Sequence, residues 1–142
     1  MPKINFYSEN INYTIRNKRK IRNLLNEIIL KENKNLIEIN FILTDDLSLL
    51  KINNKYLNHN TLTDTITFPY NTNKNEVWGD VYISIDRIKE NAKIYKDKMH
   101  TELVRVIIHG TLHLCGYKDK EDNDRKKDMI NRQEKYLKLY ID

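Results

Sequence analysis

The chain is poor in the residues that break or staple a backbone: of 142, three are glycine, two are proline and one is cysteine. A single thiol, Cys115, allows no intramolecular disulfide and fits a reducing compartment. No apolar run comes near the ~20 residues needed to span a bilayer. The opening Met1, Pro2, Lys3 and Ile4 lead into no apolar signal-peptide core. The expectation is a cytosolic protein. Linkers and repeats are also missing, so 142 residues with 39% hydrophobic content read as one domain, 1–142, around one core. Twenty-five basic against 20 acidic residues give +5, which favours RNA only modestly, because lysine is spread along the whole chain.

What is present is concentrated in residues 104–117. Leu103, Val106, Ile107, Leu112 and Leu114 recur at helical spacing, and Gly116 stands where a helix ends in a left-handed turn. His109 and His113 are four apart, so about 40° separates them around the axis and both rings leave one face. A fold-back after Gly116 brings Asp119 toward them. Two neutral imidazoles and a carboxylate suffice for a divalent metal with one position left open. Histidines four apart are also common on ordinary helices, so the glycine stop and the acid in reach carry the metal reading. A zincin is excluded, because Gly110 stands where its glutamate would be. The same donors form the facial triad of non-haem iron oxygenases, but placement on a helix and no sign of a jelly-roll sheet argue against that. Cys115 lies about 200° round from His113 and is expected in the core.

In chain order, residues 4–7 suit a first strand, and Asn17 suits the cap of a helix running to about Lys31 on Ile21, Leu24, Leu25, Ile28 and Ile29. Arg16, Lys18, Arg19, Lys20 and Arg22 at its start are either a solvated face or a phosphate-contacting patch. Residues 36–43 read as a central strand. Thr44 and Asp45 cap a helix over 46–57 with Leu47, Leu50 and Tyr56 inward. Residues 58–62 form a loop containing His59. Residues 64–70 and 77–85 are two strands joined by a turn-rich connection, with Pro69 at an end or edge and Gly79 at a bulge or close approach. Ser84 and Asp86 cap a helix to about Lys96 on Ile88, Ala92 and Tyr95, and Thr101 caps the histidine helix. Glu102 and Arg105 share the histidine face and are spaced to pair with each other. A charged helix over 122–140 packs back through Met129, Tyr136, Leu137 and Tyr140. The expected architecture is α+β, a sandwich-like single domain with about four strands in a small mixed sheet and about five helices on it. The histidine helix is expected to cross one sheet face and open a groove beside the Asp64 strand.

The segment HGTLHLCGY resembles the signature H-G-x-L-H-L-x-G-Y-D-H of the YbeY family of rRNA maturation endoribonucleases, whose three histidines bind zinc. Residues 63–69, TDTITFP, resemble the family's P-T-D-V-L-S-F-P, and residues 79–84, GDVYIS, resemble its L-G-D-I-x-I-S. The three stretches keep the family's order and spacing across nearly the whole chain. The resemblance implies a zinc-dependent hydrolase acting on single-stranded RNA, with the small ribosomal subunit as partner, in late maturation of the 16S rRNA 3′ end and in ribosome quality control. It implies one zinc ion on His109, His113 and Asp119, and places His59, Asp64 and Asp80 near the substrate. As bare residues, His59 reads equally as an exposed loop side chain, and the two aspartates as edge-strand polar groups.

Two positions depart from the pattern. Asp119 stands where the third histidine belongs, and Leu57 where an arginine follows the tyrosine of the Y-R motif. Arg105 is the candidate to replace that cation, and Glu102 is a candidate general base. The missing arginine also supports an alternative, a ribosome-assembly RNA-binding factor with structural zinc and little nuclease activity.

Overall fold

A computed structural model of the chain describes residues 3–57, 63–118 and 123–142. Among these the order is β1 (Ile4–Ser8), α1 (Lys18–Lys31), β2 (Asn35–Thr44), α2 (Asp46–Leu57), β3 (Thr65–Pro69), β4 (Glu76–Ser84), α3 (Ile85–Ile94), α4 (Met99–Leu114) and α5 (Asn123–Ile141). The four strands form one mixed sheet in the order β1-β2-β4-β3. β2 runs parallel to both β1 and β4, and β3 closes the far edge antiparallel to β4. Two parallel connections need crossovers, which α1 and α2 supply.

Alternation sorts the two faces. Ile39, Phe41 and Leu43 of β2 and Val77, Val81 and Ile83 of β4 are buried in the main core with Ile21, Leu25 and Ile28 of α1 and Leu103, Ile107 and Leu112 of α4. The intervening Glu38, Asn40, Asp80 and Tyr82 line a hollow on the other face. β3 is short and ends at Pro69, a placement that leaves the missing N–H outside the ladder. Gly79 is a close approach: a β-carbon there would stand 2.6 Å from Leu114 Cδ2 and would collide with the Phe68 carbonyl.

Several local expectations need correction. Asn17 precedes α1 in the left-handed conformation and makes no side-chain cap, so the helix begins without one. Asp45 does cap α2, accepting from the Ser48 N–H at 2.8 Å, but Thr44 does not share the task, and its buried hydroxyl has no hydrogen-bond partner among the described residues. The buried face of α2 is Leu49 and Asn53, while Leu47 and Tyr56 are both 61% exposed. Ser84 caps α3, but Asp86 caps α2 instead, through the Asp46 N–H at 2.9 Å. Ile85 replaces the exposed Tyr95 in the α3 stripe. Lys98, and not Thr101, flanks the start of α4.

Candidate metal and RNA-cleavage site

Helix α4 crosses the sheet with Gly110 against Val81 and Leu114 against Gly79, so its opposite rim faces the groove beside β3 and α5. The helix stops because Gly116 takes φ +113°. The N–H of Gly116 bonds the His113 carbonyl at 3.0 Å and that of Tyr117 bonds the Leu112 carbonyl at 3.1 Å, the paired bonds of a Schellman ending. This turn brings the Tyr117 carbonyl back to Nδ1 of His113, 2.8 Å away.

His109 is held from another element. Its Nδ1 lies 2.7 Å from Oε1 of Gln133 on α5, and the Gln133 amide is oriented by donating to Glu134 Oε2 at 3.1 Å. Both Nδ1 atoms therefore face oxygens that only accept, which assigns the proton to Nδ1 on each ring. The two unprotonated Nε2 atoms then stand 3.0 Å apart, with the ring centroids at 4.6 Å and the rings at 86°, an oblique approach and not a head-on one. Two lone pairs at that distance repel unless a cation lies between them. Two Zn–N bonds of about 2.05 Å at the tetrahedral angle separate their nitrogens by about 3.3 Å, so little movement is needed to accept a metal. Acceptors behind each ring are also what a metal-ligating histidine uses to fix its tautomer. The donor set fits a borderline metal such as zinc, though among the described residues the two histidines have no third His, Cys, Asp or Glu grouped with them. The expected third ligand, Asp119, lies outside the described residues, as does His59.

A cleft of 510 Å³ opens beside His109 and includes Asp64, Glu102, Arg105 and Gln133 in its lining. Asp64 thus shares the cleft with the histidine, as expected. Asp80 does not: it lies on the other face of the sheet, accepting from Asn40 at 3.1 Å and from the Tyr70 hydroxyl at 2.8 Å. The reason is strand alternation, since Asp80 sits between the inward-facing Gly79 and Val81. Glu102 and Arg105 pair with each other, and Arg105 also contacts Glu134 at 3.1 Å and Asp97 at 3.3 Å. Glu102 is 4% exposed, and burial raises its pKa despite the Arg105 hydrogen bond. Seven residues before His109, it starts about 10 Å farther back along the helix axis, and its carboxylate is held there by Arg105. Cys115 faces the core, where burial pushes its thiol up to about 12.

Sequence reasoning missed Gln133, the Tyr117 carbonyl and Glu32, which accepts from the Tyr117 hydroxyl at 2.8 Å. One signal was available for the first. Gln133 falls in the stripe Met129, Tyr136 and Tyr140, a polar residue where the helix is otherwise buried.

The family described as Endoribonuclease YbeY matches residues 3–140. A protein of that name from Flavobacterium psychrophilum is 47% identical over 134 residues, covering 94% of each chain. Another from Flavobacterium johnsoniae is 42% identical over 139 residues, covering 98% of this chain and 99% of its own. The solution structure of TM1509 from Thermotoga maritima superposes with a TM-score of 0.67 at 28% identity, over 96% of this chain and 88% of that one. A match that spans all three motif stretches, the sheet and the final helix leaves one assignment: the chain belongs to the endoribonuclease YbeY family.

Proposed function

We propose that this endoribonuclease cuts single-stranded rRNA using one zinc ion held by His109, His113 and Asp119. Its task on this reading is late processing of the 16S rRNA 3′ end and ribosome quality control, in the cytoplasm and on the small ribosomal subunit. The observation that carries the metal reading is the pair of Nε2 atoms 3.0 Å apart, each with its Nδ1 committed to an oxygen. Zinc, when bound, supplies Lewis acidity at a phosphoryl oxygen and lowers the pKa of water toward neutrality. Gln133 and the Tyr117 carbonyl hold the two rings in their metal-ready tautomers. Asp64 lines the approach to His109 and, on this reading, orients the RNA strand there.

Arg105 is a weaker substitute for the cation missing at Leu57, because Glu102, Asp97 and Glu134 already neutralise it. On this reading its work is to hold those carboxylates together at the end of the cleft, while Glu102 takes up or releases a proton there. Among the described residues no helix is long and apolar enough to cross a membrane. The chain's +5 charge suits an anionic polymer.

The test is metal analysis of the wild type beside His109→Ala, His113→Ala and Asp119→Ala, with cleavage of single-stranded RNA by fully purified protein with and without chelator. Stoichiometric zinc lost in each variant, and cleavage abolished by His113→Ala, are expected. Zinc retained without any cleavage would instead favour the assembly-factor reading, toward which Leu57 and the engaged Arg105 point.

A further inference from the structure

Glu32 follows the last turn of α1, and its side chain is only 7% exposed. A carboxylate withdrawn from water to that extent needs several donors. Its Oε1 accepts from the Tyr117 hydroxyl at 2.8 Å, and its Oε2 accepts from the Tyr136 hydroxyl at 2.6 Å and from Arg132 at 3.1 Å. The Arg132 guanidinium also lies 5.8 Å from the centre of the Tyr117 ring. Both phenols therefore point their hydroxyls at the one carboxylate.

The helix ending fixes the N–H of Tyr117 through Leu112, but it leaves the direction of the Tyr117 carbonyl unset. A ring tied at its hydroxyl supplies the second constraint on that residue, and the carbonyl it thereby steadies is the acceptor for His113 Nδ1. We propose that Glu32 is a positioning residue for His113: by clamping Tyr117 it sets the ring's tautomer and aims Nε2 into the metal site. The relay runs from the end of α1, through the turn after α4, to the histidine. Its effect on zinc rests on the metal reading above, whereas its effect on the ring does not.

Tyr136→Phe is the control, because it removes a hydroxyl donor from the same carboxylate without touching the turn. The experiment measures the His113 tautomer by long-range ¹H–¹⁵N NMR in metal-free protein, zinc affinity by chelator competition, and melting temperature, in Tyr117→Phe, Glu32→Gln and Tyr136→Phe. Tyr117→Phe and Glu32→Gln are expected to populate the Nε2–H tautomer of His113 and to weaken zinc binding by about tenfold, the lower end of outer-shell effects on metal sites. Tyr136→Phe is expected to lower the melting temperature comparably while leaving tautomer and affinity unchanged. An unmoved tautomer in Tyr117→Phe, or an equal shift in Tyr136→Phe, overturns the relay. Should Glu32→Gln fail to fold, Tyr117→Phe, which removes a single hydroxyl, decides alone. A wild type that takes no zinc would sink the metal reading, and the tautomer comparison would still decide this one.

Discussion

A β-carbon added to Gly110 would stand 2.7 Å from Cγ1 of Val81, so the backbone of α4 rests directly on that β4 side chain. The histidines flank this contact at one and three residues' distance, and the contact sets their height above the sheet. Gly110→Ala gains about 1 kcal/mol of helix propensity. It must then push aside a branched side chain with one preferred rotamer, and overpacking of this kind costs about 1–3 kcal/mol. The expected outcome is a net loss of about 1 kcal/mol in urea denaturation, given those opposed terms. Val81→Ala in the same chain should recover part of it, and purely additive losses would show that the two residues are not coupled.

Gln133→Ala leaves His109 without its acceptor while removing a side chain that is only half-buried. Zinc affinity is expected to fall by about 10–100-fold with little change in melting temperature. Chelator competition alongside a thermal melt measures both, and an affinity that tracks only stability would contradict the assignment.

Asp119→His exchanges an anionic ligand for a neutral one on the proposed site. A more positive centre favours deprotonation of the attacking water. The acidic limb of the pH–rate profile should therefore move to lower pH at equal metal content. A midpoint that stays or rises counts against zinc held by that carboxylate.

Burial lifts the Glu102 carboxyl, with Arg105 opposing the lift and Asp64 and Asp97 adding to it. The folded protein thus binds this proton more tightly than the unfolded chain does. Its contribution to stability is complete below the ordinary carboxylate range and is lost as pH rises through the raised folded value. Glu102→Gln cannot titrate, so its stability relative to wild type should improve as pH rises across that weakly acidic window. Denaturation midpoints at a series of pH values check the slope, and parallel curves would refute it.

Cys115 is buried, and its thiol is held at about 12, far above neutral pH. Alkylation at pH 8 should proceed only as fast as the protein unfolds. Labelling that outpaces global unfolding would show a local opening of the α4 terminus.

What was legible in the sequence follows the strength of each periodic signal. The five buried residues of α1 and the stop at Gly116 were readable because a wide apolar stripe and a left-handed glycine admit few alternatives. The face of α2 was not: Leu47, Leu49 and Leu50 crowd one turn, so spacing alone fits more than one rotation. Capping at Asp86 was misplaced because its acceptor serves Asp46, 40 residues away, and no local pattern records that. Asp80 was set beside the cleft by the resemblance, and a count of two along β4 from buried neighbours turns it to the other face. The supports of the histidines were hidden for the same reason as Asp86. They come from α1, from the turn and from α5, and only the tertiary fold brings them to the rings.

The bond from His109 to Gln133 spans 24 residues of chain. During synthesis His109 is added before the amide that orients it. Until α5 has been made and docked, the rings lack one of their two anchors and the site stays unprepared. The order in which the chain is made therefore leaves the orientation of His109 to α5.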